Sequence, residues 1–254
     1  MRRGAVELGP VNKILLIKLS SMGDVVHSLP VAHALREGFP HARITWVVDA
    51  RYKDLVETNP DIDEVVTFSR SRWSRLRRLA YVLPEVIQFA RTLRRRGFDL
   101  AVDLQGLLRS GVIAYLSASR WRVGFENARE MSGLFYNLAV PVPRVKLHAV
   151  DRYMLVARVL GIPSGDRRFS IISSRDDRHD VEQFLNKNGV RPEDRLVVLA
   201  PAARWETKRW QWEKFAEVAD HFSQKPCTRT ALIGDLGDAQ LLERVSEQMR
   251  ASPI

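Results

Sequence analysis

The sequence alternates short apolar runs with helix-like segments, and this alternation constrains the fold more than any other feature. Strands are predicted at KILLIKL (13–19), ITWVVDA (44–50), EVVTF (64–68), FDLAVDLQG (98–106) and WRVGF (121–125). Helices are predicted between them, from Asp24 to about Gly38 with a kink at Pro30, at 52–60, at roughly 73–96 with a break at Pro84, and at 107–118. This order is typical of an α/β fold, a parallel sheet with helices on both faces.

The pattern begins again after a linker. Residues 145–160 predict a helix, and GIPSG (161–165) predicts the linker. Beyond it, strands are predicted at 195–201 and 230–235, and helices at 178–188, 211–222 and 237–250. Because a doubly wound domain normally has five or six strands, we expect a whole N-terminal domain, 1–165, and a partial second domain, 166–254. The alternative is that 169–254 is a small appendage packed on the first domain.

Most of the unusual polar residues of the first domain follow its predicted strands. In a parallel sheet of this kind, ligands bind outside the carboxyl ends of the strands. The sequence therefore predicts a site along one rim, built from five segments: Ser20–Asp24, Asp49–Arg51, Ser69–Arg75, Asp103–Arg109 and Phe125–Glu130.

The net positive charge of the chain comes from its first part. Residues 1–168 hold 27 Lys and Arg against 16 Asp and Glu, whereas residues 169–254 are nearly balanced. Such a field attracts phosphates, nucleic acid or an anionic membrane surface, although it could also be a solubilising surface. A pI near 10.2 is also typical of nucleic-acid-binding proteins. The sequence has no zinc-ligand spacing and no RNP-like run, however, so we expect no nucleic acid as a partner.

The single cysteine, Cys227, excludes an internal disulfide and suits a reducing compartment. The stretch GAVELGPV near the start is too short and too polar for a signal-peptide core. No run of about 18 apolar residues occurs, so we expect no transmembrane helix.

The run KILLIKLSSMGDVVHSLP (13–30) joins a predicted strand to a predicted helix through a loop of small residues. Small residues let a backbone approach a ligand closely, but this loop is neither a GxGxxG loop nor a Walker A loop. Asp24 opens the helix. On the residues alone it is equally a helix cap or dipole partner, or a reactive acid facing a ligand.

Several ordered segments together carry a more specific resemblance. The run K-x-S-S-M-G-D-V-x-H-x-L-P resembles the opening of the ADP-heptose:lipopolysaccharide heptosyltransferases of glycosyltransferase family 9. Further segments resemble that family in the same order, and they span about 13–250: WVVDARYKDLVETNPDIDEVV (46–66), DLQGLLRSG (103–111), ARE with GLFYN (128–137), HAVDRY (148–153) and APAARWETKRWQWEKF (200–215).

The resemblance implies a GT-B fold, with two Rossmann-like domains, and an inverting, cytoplasmic glycosyltransferase. It implies transfer of heptose from ADP-L-glycero-D-manno-heptose to Kdo of the lipopolysaccharide inner core, with no metal and no cofactor. Its partners would be the nucleotide sugar, the anionic Kdo-lipid A acceptor and, peripherally, the inner membrane surface. The alternatives are another family 9 transferase with a different sugar or acceptor, and a non-catalytic fragment that binds sugar or phosphate.

The resemblance also assigns roles to individual residues. Asp24 would be the general base on the acceptor hydroxyl, and Arg204 and Lys208 would bind the donor diphosphate, unless they form only a basic turn. The acceptor would be bound by Arg129, Arg72, Arg75, Gln105, His27 and His148. For Gln105 and His27 the alternative is a purely structural polar role. For His148 and Arg152, four residues apart, the alternative is a solvated face of a helix. The family's Asp-Thr/Ser-Gly-x-x-His segment does not occur after Ala231, so we expect an incomplete donor site and no turnover by this chain alone.

Overall fold

The structure is a computed structural model that describes residues 8–68, 79–163, 165–203, 205–251 and 253–254, and the side chains of 79–83 are outside that description. Contacts divide the chain into two compact units, Met1–Ile172 and Ser173–Ile254. The roles assigned to 1–165 and 166–254 from the sequence stay predictions. None of the helices in the described part of the chain has the length and apolar character that spanning a bilayer requires.

The first unit is built on one parallel six-stranded sheet in the order β3-β2-β1-β4-β5-β6. Its strands are β1 (Lys13–Ile17), β2 (Arg43–Asp49), β3 (Glu64–Phe68), β4 (Leu100–Asp103), β5 (Trp121–Phe125) and β6 (Leu138–Val140). Its helices are α1 (Met22–Val26), α2 (Leu29–Gly38), α3 (Asp54–Glu57), α4 (Leu79–Arg96), α5 (Leu108–Leu116) and α6 (Ala149–Val159), with short 3-10 helices at Ala50–Tyr52 and Ser132–Phe135. The predicted α/β class is confirmed.

Both faces of the sheet are buried at its centre, which explains why the central strands β1, β2 and β4 are mainly apolar runs. In β1, Ile14 and Leu16 belong to one hydrophobic cluster, which also contains residues of α2 and α6. Leu15 and Ile17 belong to the other, with residues of α4 and α5. All four side chains are fully buried, and each such burial contributes about 1.5–3 kcal/mol to folding.

The predicted helix from Asp24 to Gly38 is two helices. The break falls at His27 and Ser28, where the Ser28 hydroxyl donates a 2.7 Å hydrogen bond to the Asp24 carbonyl. Pro30 has no N–H and stands at the second position of α2, where a helix needs no such donor. Pro30 therefore lies in the first turn of a helix and does not kink one.

Two other helix and strand predictions differ from the structure. The predicted break at Pro84 is wrong, because α4 continues through this exposed proline. Strand β6 was not predicted, since it has only three residues and lies at the sheet edge just before Pro141.

The second unit has a two-stranded parallel sheet of β7 (Arg195–Leu199) and β8 (Thr228–Leu232). Its helices are α7 (Arg175–Lys187), α8 (Trp212–Ser223) and α9 (Ala239–Gln248), with short 3-10 helices at Glu206–Lys208 and Leu236–Asp238. Its core is a small cluster centred on Ala216, Ala219, Val245 and Met249.

Candidate functional site

The strand order of the first unit reverses between β1 and β4, so the chain leaves the carboxyl ends of these two neighbours in opposite directions. This opens a crevice above them, which is where sheets of this type bind ligands. The loops after β1, β4 and β5 meet there. The backbone N–H of Arg129 donates to the Gly106 carbonyl at 2.9 Å, and that of Leu108 donates to the Glu130 carboxylate at 3.2 Å.

Asp103 and Gln105 hold the loop after β4 against the loop after β1. The completely buried Asp103 carboxylate accepts the backbone N–H groups of Gln105 at 2.7 Å and Gly106 at 3.2 Å. Gly106 has a φ of +66°, a turn conformation that favours glycine. The Gln105 side-chain oxygen in turn accepts the N–H groups of Leu19 at 3.2 Å and Ser20 at 3.1 Å. Gln105 therefore positions the loop that carries Asp24.

Asp24 lies in the short helix α1, half-buried, with both carboxylate oxygens engaged. Its Oδ2 accepts the Ser21 N–H at 3.1 Å and the Ser21 hydroxyl at 2.9 Å. Its Oδ1 accepts the Tyr153 hydroxyl at 3.1 Å. Burial raises the pKa of Asp24, but the charge of Lys18 and these hydrogen bonds together outweigh burial and lower the pKa below its usual value. Asp24 is therefore an ionised carboxylate at neutral pH.

Lys18 is the buried cation of this site, with only 3% of its surface exposed. Its ammonium donates to the Tyr153 hydroxyl at 2.8 Å and to the Leu104 carbonyl at 3.3 Å. It also lies 4.6 Å from the centre of the Tyr153 ring, which suits a cation–π contact. Burial lowers the pKa of Lys18 to about 8, against the opposing charges of Asp24 and Asp103.

A cavity of about 660 Å³ lies beside the loop after β4 and is predominantly basic. Its lining includes four cationic side chains and one acidic one, Glu126; the cations are Arg129, Arg144, Lys146 and Arg152. Arg152 donates to the Asn127 amide oxygen at 3.0 Å and stacks 4.6 Å from the Phe125 ring centre, while its buried Nε has no hydrogen-bond partner among the described residues. Gln105 also lines this cavity, so the structure brings two predicted acceptor residues, Gln105 and Arg129, together.

His27 and His148 contact each other edge to face, with ring centres 5.2 Å apart. His148 also caps helix α6, because its Nδ1 accepts the backbone N–H of Val150 at 3.3 Å. His148 therefore has a capping role in the structure, and the acceptor-binding role that the resemblance assigned to it stays a prediction.

The predicted donor-side residues belong to the second unit. Lys208 ends a 3-10 helix and is exposed. Arg204, together with the predicted acceptor residues Arg72 and Arg75, lies outside the described residues. The roles predicted for all the site residues stay predictions.

Sequence reasoning did not assign roles to Lys18, Tyr153, Asp103, Arg144 or Lys146. One signal for Lys18 was available, since a lysine directly after the apolar run 14–17 could be buried with that run, and a buried lysine needs a partner. Arg144 and Lys146 stand in the segment PVPRVKLH before α6, where the pattern gave no reason to expect a cavity.

The chain is similar to proteins of one glycosyltransferase family. A sequence profile of glycosyltransferase family 9 (heptosyltransferase) matches residues 86–253. Lipopolysaccharide heptosyltransferase 1 of Pseudomonas aeruginosa is 28% identical over 217 residues, which are 84% of this chain and 58% of that protein. The chain spans only 56–63% of the length of each of five curated lipopolysaccharide heptosyltransferases that it matches.

Two solved structures share the architecture across almost the whole chain. A glycosyltransferase family 9 protein from Veillonella parvula is 26% identical, with a TM-score of 0.82, over 98% of this chain and 70% of that one. The E. coli heptosyltransferase WaaC with ADP-2-deoxy-2-fluoro heptose is 25% identical, with a TM-score of 0.73, over 92% of this chain and 73% of that one. The expected GT-B heptosyltransferase architecture is confirmed.

Proposed function

The chain belongs to glycosyltransferase family 9, and from that membership we propose that the protein transfers heptose from ADP-L-glycero-D-manno-heptose to Kdo of the lipopolysaccharide inner core. The observation that carries the proposal is the placement of Asp24. An ionised carboxylate stands at the carboxyl edge of β1, at the point where the strand order reverses, in a chain similar to lipopolysaccharide heptosyltransferase 1.

In the proposed reaction Asp24 takes the proton of the acceptor hydroxyl. The hydroxyl oxygen forms its bond to the anomeric carbon of the heptose as the bond from that carbon to the diphosphate breaks, and the electron pair leaves with ADP. A carboxylate with a lowered pKa is a weak base. Such a base suits a transition state in which the sugar already carries positive charge and the proton leaves late.

The decisive experiment is heptose transfer from ADP-heptose to deacylated Kdo-lipid A by the full-length protein and its variants. Asp24→Asn should lower kcat about a hundredfold or more, in the range of lost general-base catalysis. Asp54→Asn is the matched control, because it removes an exposed acid from α3 and should leave kcat unchanged. A folded wild-type protein that transfers nothing would exclude this substrate pair, and a second assay with other acceptor sugars then tests another family 9 activity.

We propose that the basic cavity binds the anionic part of the acceptor. Arginine donates two parallel hydrogen bonds to a carboxylate or phosphate, and Arg129, Arg144 and Lys146 face the cavity from two loops. Arg129→Ala should raise the acceptor KM about tenfold and make it less sensitive to salt. Arg43→Ala is the control for net charge, because Arg43 is exposed and starts β2 at the opposite end of the sheet. An acceptor KM that rises equally in both variants would contradict a specific role for the cavity.

For the donor, we propose that Lys208 and Arg204 meet the negative charge that grows on the departing diphosphate, so that no bound metal and no cofactor take part. Lys208→Ala should raise the KM for ADP-heptose and lower kcat, whereas Lys214→Ala, which removes an exposed lysine paired with Glu217, should do neither. Activity that survives extensive chelation of divalent ions would support a transfer without metal. Activity lost to the chelator and restored by one metal would overturn it.

We also propose that the protein works in the cytoplasm and contacts the inner membrane, because a nucleotide sugar and a lipid-anchored acceptor would meet at that surface. Met131 and Leu134 support this contact, as they are 72% and 75% exposed on the loop that also carries Arg129. Substituting both with Ser should reduce sedimentation with vesicles of anionic phospholipid. Substituting the exposed Val198 of β7 with Ser is the matched control.

A further inference from the structure

The contact between Lys18 and Tyr153 fixes the direction of a chain of hydrogen bonds. An ammonium group has donors and no acceptor, so the Tyr153 hydroxyl must accept the 2.8 Å hydrogen bond from Lys18. The single proton of that hydroxyl is then free to be donated to Oδ1 of Asp24, 3.1 Å away. The burial of Lys18 and Tyr153, each with under 5% of its surface exposed, protects this arrangement from competing water.

The same contacts leave Asp24 with little freedom. A carboxylate has about four lone-pair sites for hydrogen bonds. Among the described residues, Ser21 occupies two positions at Oδ2 through its N–H and its hydroxyl, and Tyr153 occupies one at Oδ1. The remaining site is on Oδ1, so an incoming acceptor hydroxyl would meet the same oxygen that Tyr153 holds.

The charges around Lys18 come from several elements. Asp24 from α1 and Asp103 from the end of β4 attract it, whereas Arg129 from the loop after β5 and Arg152 from α6 repel it. Burial lowers the pKa of Lys18 to about 8, so the ammonium is charged at neutral pH and begins to lose its proton only above that value. In return, the charged Lys18 lowers the pKa of Asp24.

We propose that Lys18 is a positioning residue that acts through Tyr153 to keep Asp24 ionised and to direct the free lone pair of its Oδ1 at the acceptor hydroxyl. This inference rests on the proposed function and deepens it. Lys18 transfers no proton in the reaction: the acceptor proton goes to Asp24, and the diphosphate leaves with the electron pair of the bond that breaks. These contacts make Asp24 a weaker base, but they also keep its carboxylate charged and oriented before the substrate binds.

The coupling can be measured without substrate. In the full-length protein with ¹³C-labelled lysine, the Cε resonance of Lys18, assigned from its absence in Lys18→Met, should titrate near pH 8. Asp24→Asn removes a negative charge that raises the pKa of Lys18, so the midpoint of the Lys18 titration should move to lower pH. A midpoint that is the same in both proteins, or an ordinary lysine midpoint near 10.5 in the wild type, would overturn the inference whether or not the protein transfers heptose.

The pH profile of transfer separates positioning from a merely structural role. In Lys18→Met, the midpoint of the acid limb of kcat/KM should rise, because burial of Asp24 is no longer opposed by the lysine charge, and kcat should fall about tenfold or more. Tyr153→Phe keeps the ring and should move the acid limb in the same direction. Lys18→Arg keeps the charge and should return the limb toward its wild-type position.

Lys13→Met is the matched control, since it removes an exposed lysine from the other end of β1. Its acid limb should coincide with that of the wild type. A slower Lys18→Met variant whose acid limb does not move would show that Lys18 only supports the fold. Absence of transfer by the wild type concerns the proposed function alone, and the lysine titration then decides the present inference.

Discussion

The Tyr136 hydroxyl donates a 2.6 Å hydrogen bond to Asp103, a carboxylate with no exposed surface. Burial raises the pKa of Asp103, and the hydrogen bonds from the Tyr136 and Ser110 side chains and from the Gln105 and Gly106 backbone oppose that rise. Hydrogen-bond donors from three segments of the chain thus converge on one carboxylate at the end of β4. Asp103 binds the backbone of Gln105, and the Gln105 side chain binds the loop before Asp24. Asp103 therefore stabilises the proposed site from the interior of the first unit.

Removal of the whole Asp103 carboxylate should therefore lower the free energy of unfolding far more than removal of its charge alone. Asp103→Ala leaves two backbone N–H groups and the Tyr136 hydroxyl without a partner and should cost about 3 kcal/mol or more. Asp103→Asn keeps an oxygen for the backbone groups, and its amide can donate to the Tyr136 oxygen, so its stability should stay within about 1 kcal/mol of the wild type. Urea unfolding at pH 7 compares the two variants, and equal losses would contradict this account.

Gly124 should be intolerant of a larger residue because the Tyr136 ring occupies the space beside it. A Cβ added at Gly124 would meet three atoms of that ring, whereas one added at Gly133 meets no atom within 4 Å. Gly124→Ala should cost about 1–3 kcal/mol through overpacking, and Gly133→Ala, its control, much less. The double variant Gly124→Ala, Tyr136→Ala should be more stable than the sum of its single effects predicts. Strict additivity in thermal unfolding would count against the contact.

The sequence was sufficient to predict most strands of the first unit, because burial on both faces makes the central strands β1, β2 and β4 mainly apolar runs. Strand β3 was predicted with the bounds it has, Glu64–Phe68. The same reasoning missed β6, which pairs only with β5 at the sheet edge and is too short to show a pattern. It also joined α1 and α2 into one helix, since the break depends on a local hydrogen bond of Ser28 that apolar spacing does not reveal.

The candidate site was predictable only in part, for a related reason. Asp24 belongs to a compact segment whose order of residues is itself a signal. Lys18 and Tyr153, by contrast, are 135 residues apart in the chain and meet only through the packing of α6 beside β1. Gln105 was predicted at the rim, but its contact with the N–H groups of Leu19 and Ser20 depends on the parallel pairing of β1 with β4.

Gln105 should affect the rate of transfer through the loop that it holds. Gln105→Ala leaves the N–H groups of Leu19 and Ser20 without their acceptor, so Asp24 should lose its fixed position and kcat should fall about tenfold. Gln105→Glu keeps a side-chain oxygen at the same reach and should retain most of the activity. Transfer assays at saturating donor and acceptor distinguish the two. A loss in Gln105→Glu as large as that in Gln105→Ala would instead indicate that the amide N–H₂ group binds the acceptor.

Lys18 should make the stability of the protein depend on pH between about 8 and 10. Its pKa is about 8 in the folded protein and 10.5 ordinarily, so in this range the unfolded chain binds a proton that the folded chain has released. Stability rises with pH wherever the unfolded state binds more protons. Burial raises the pKa of Tyr136 and Tyr153, which acts in the opposite direction but only as pH passes the ordinary tyrosine value near 10.

The free energy of unfolding of the wild type, relative to that of Lys18→Met, should therefore increase by about 2 kcal/mol from pH 7.5 to pH 10. Urea unfolding of both proteins at intervals across this range measures the difference, in which all other titrating groups largely cancel. Lys13→Met should follow the wild type throughout, because the lysine it removes is exposed. Parallel curves for the wild type and Lys18→Met would mean that Lys18 releases its proton at the same pH whether the protein is folded or not, and that its burial beside Tyr153 does not persist in solution.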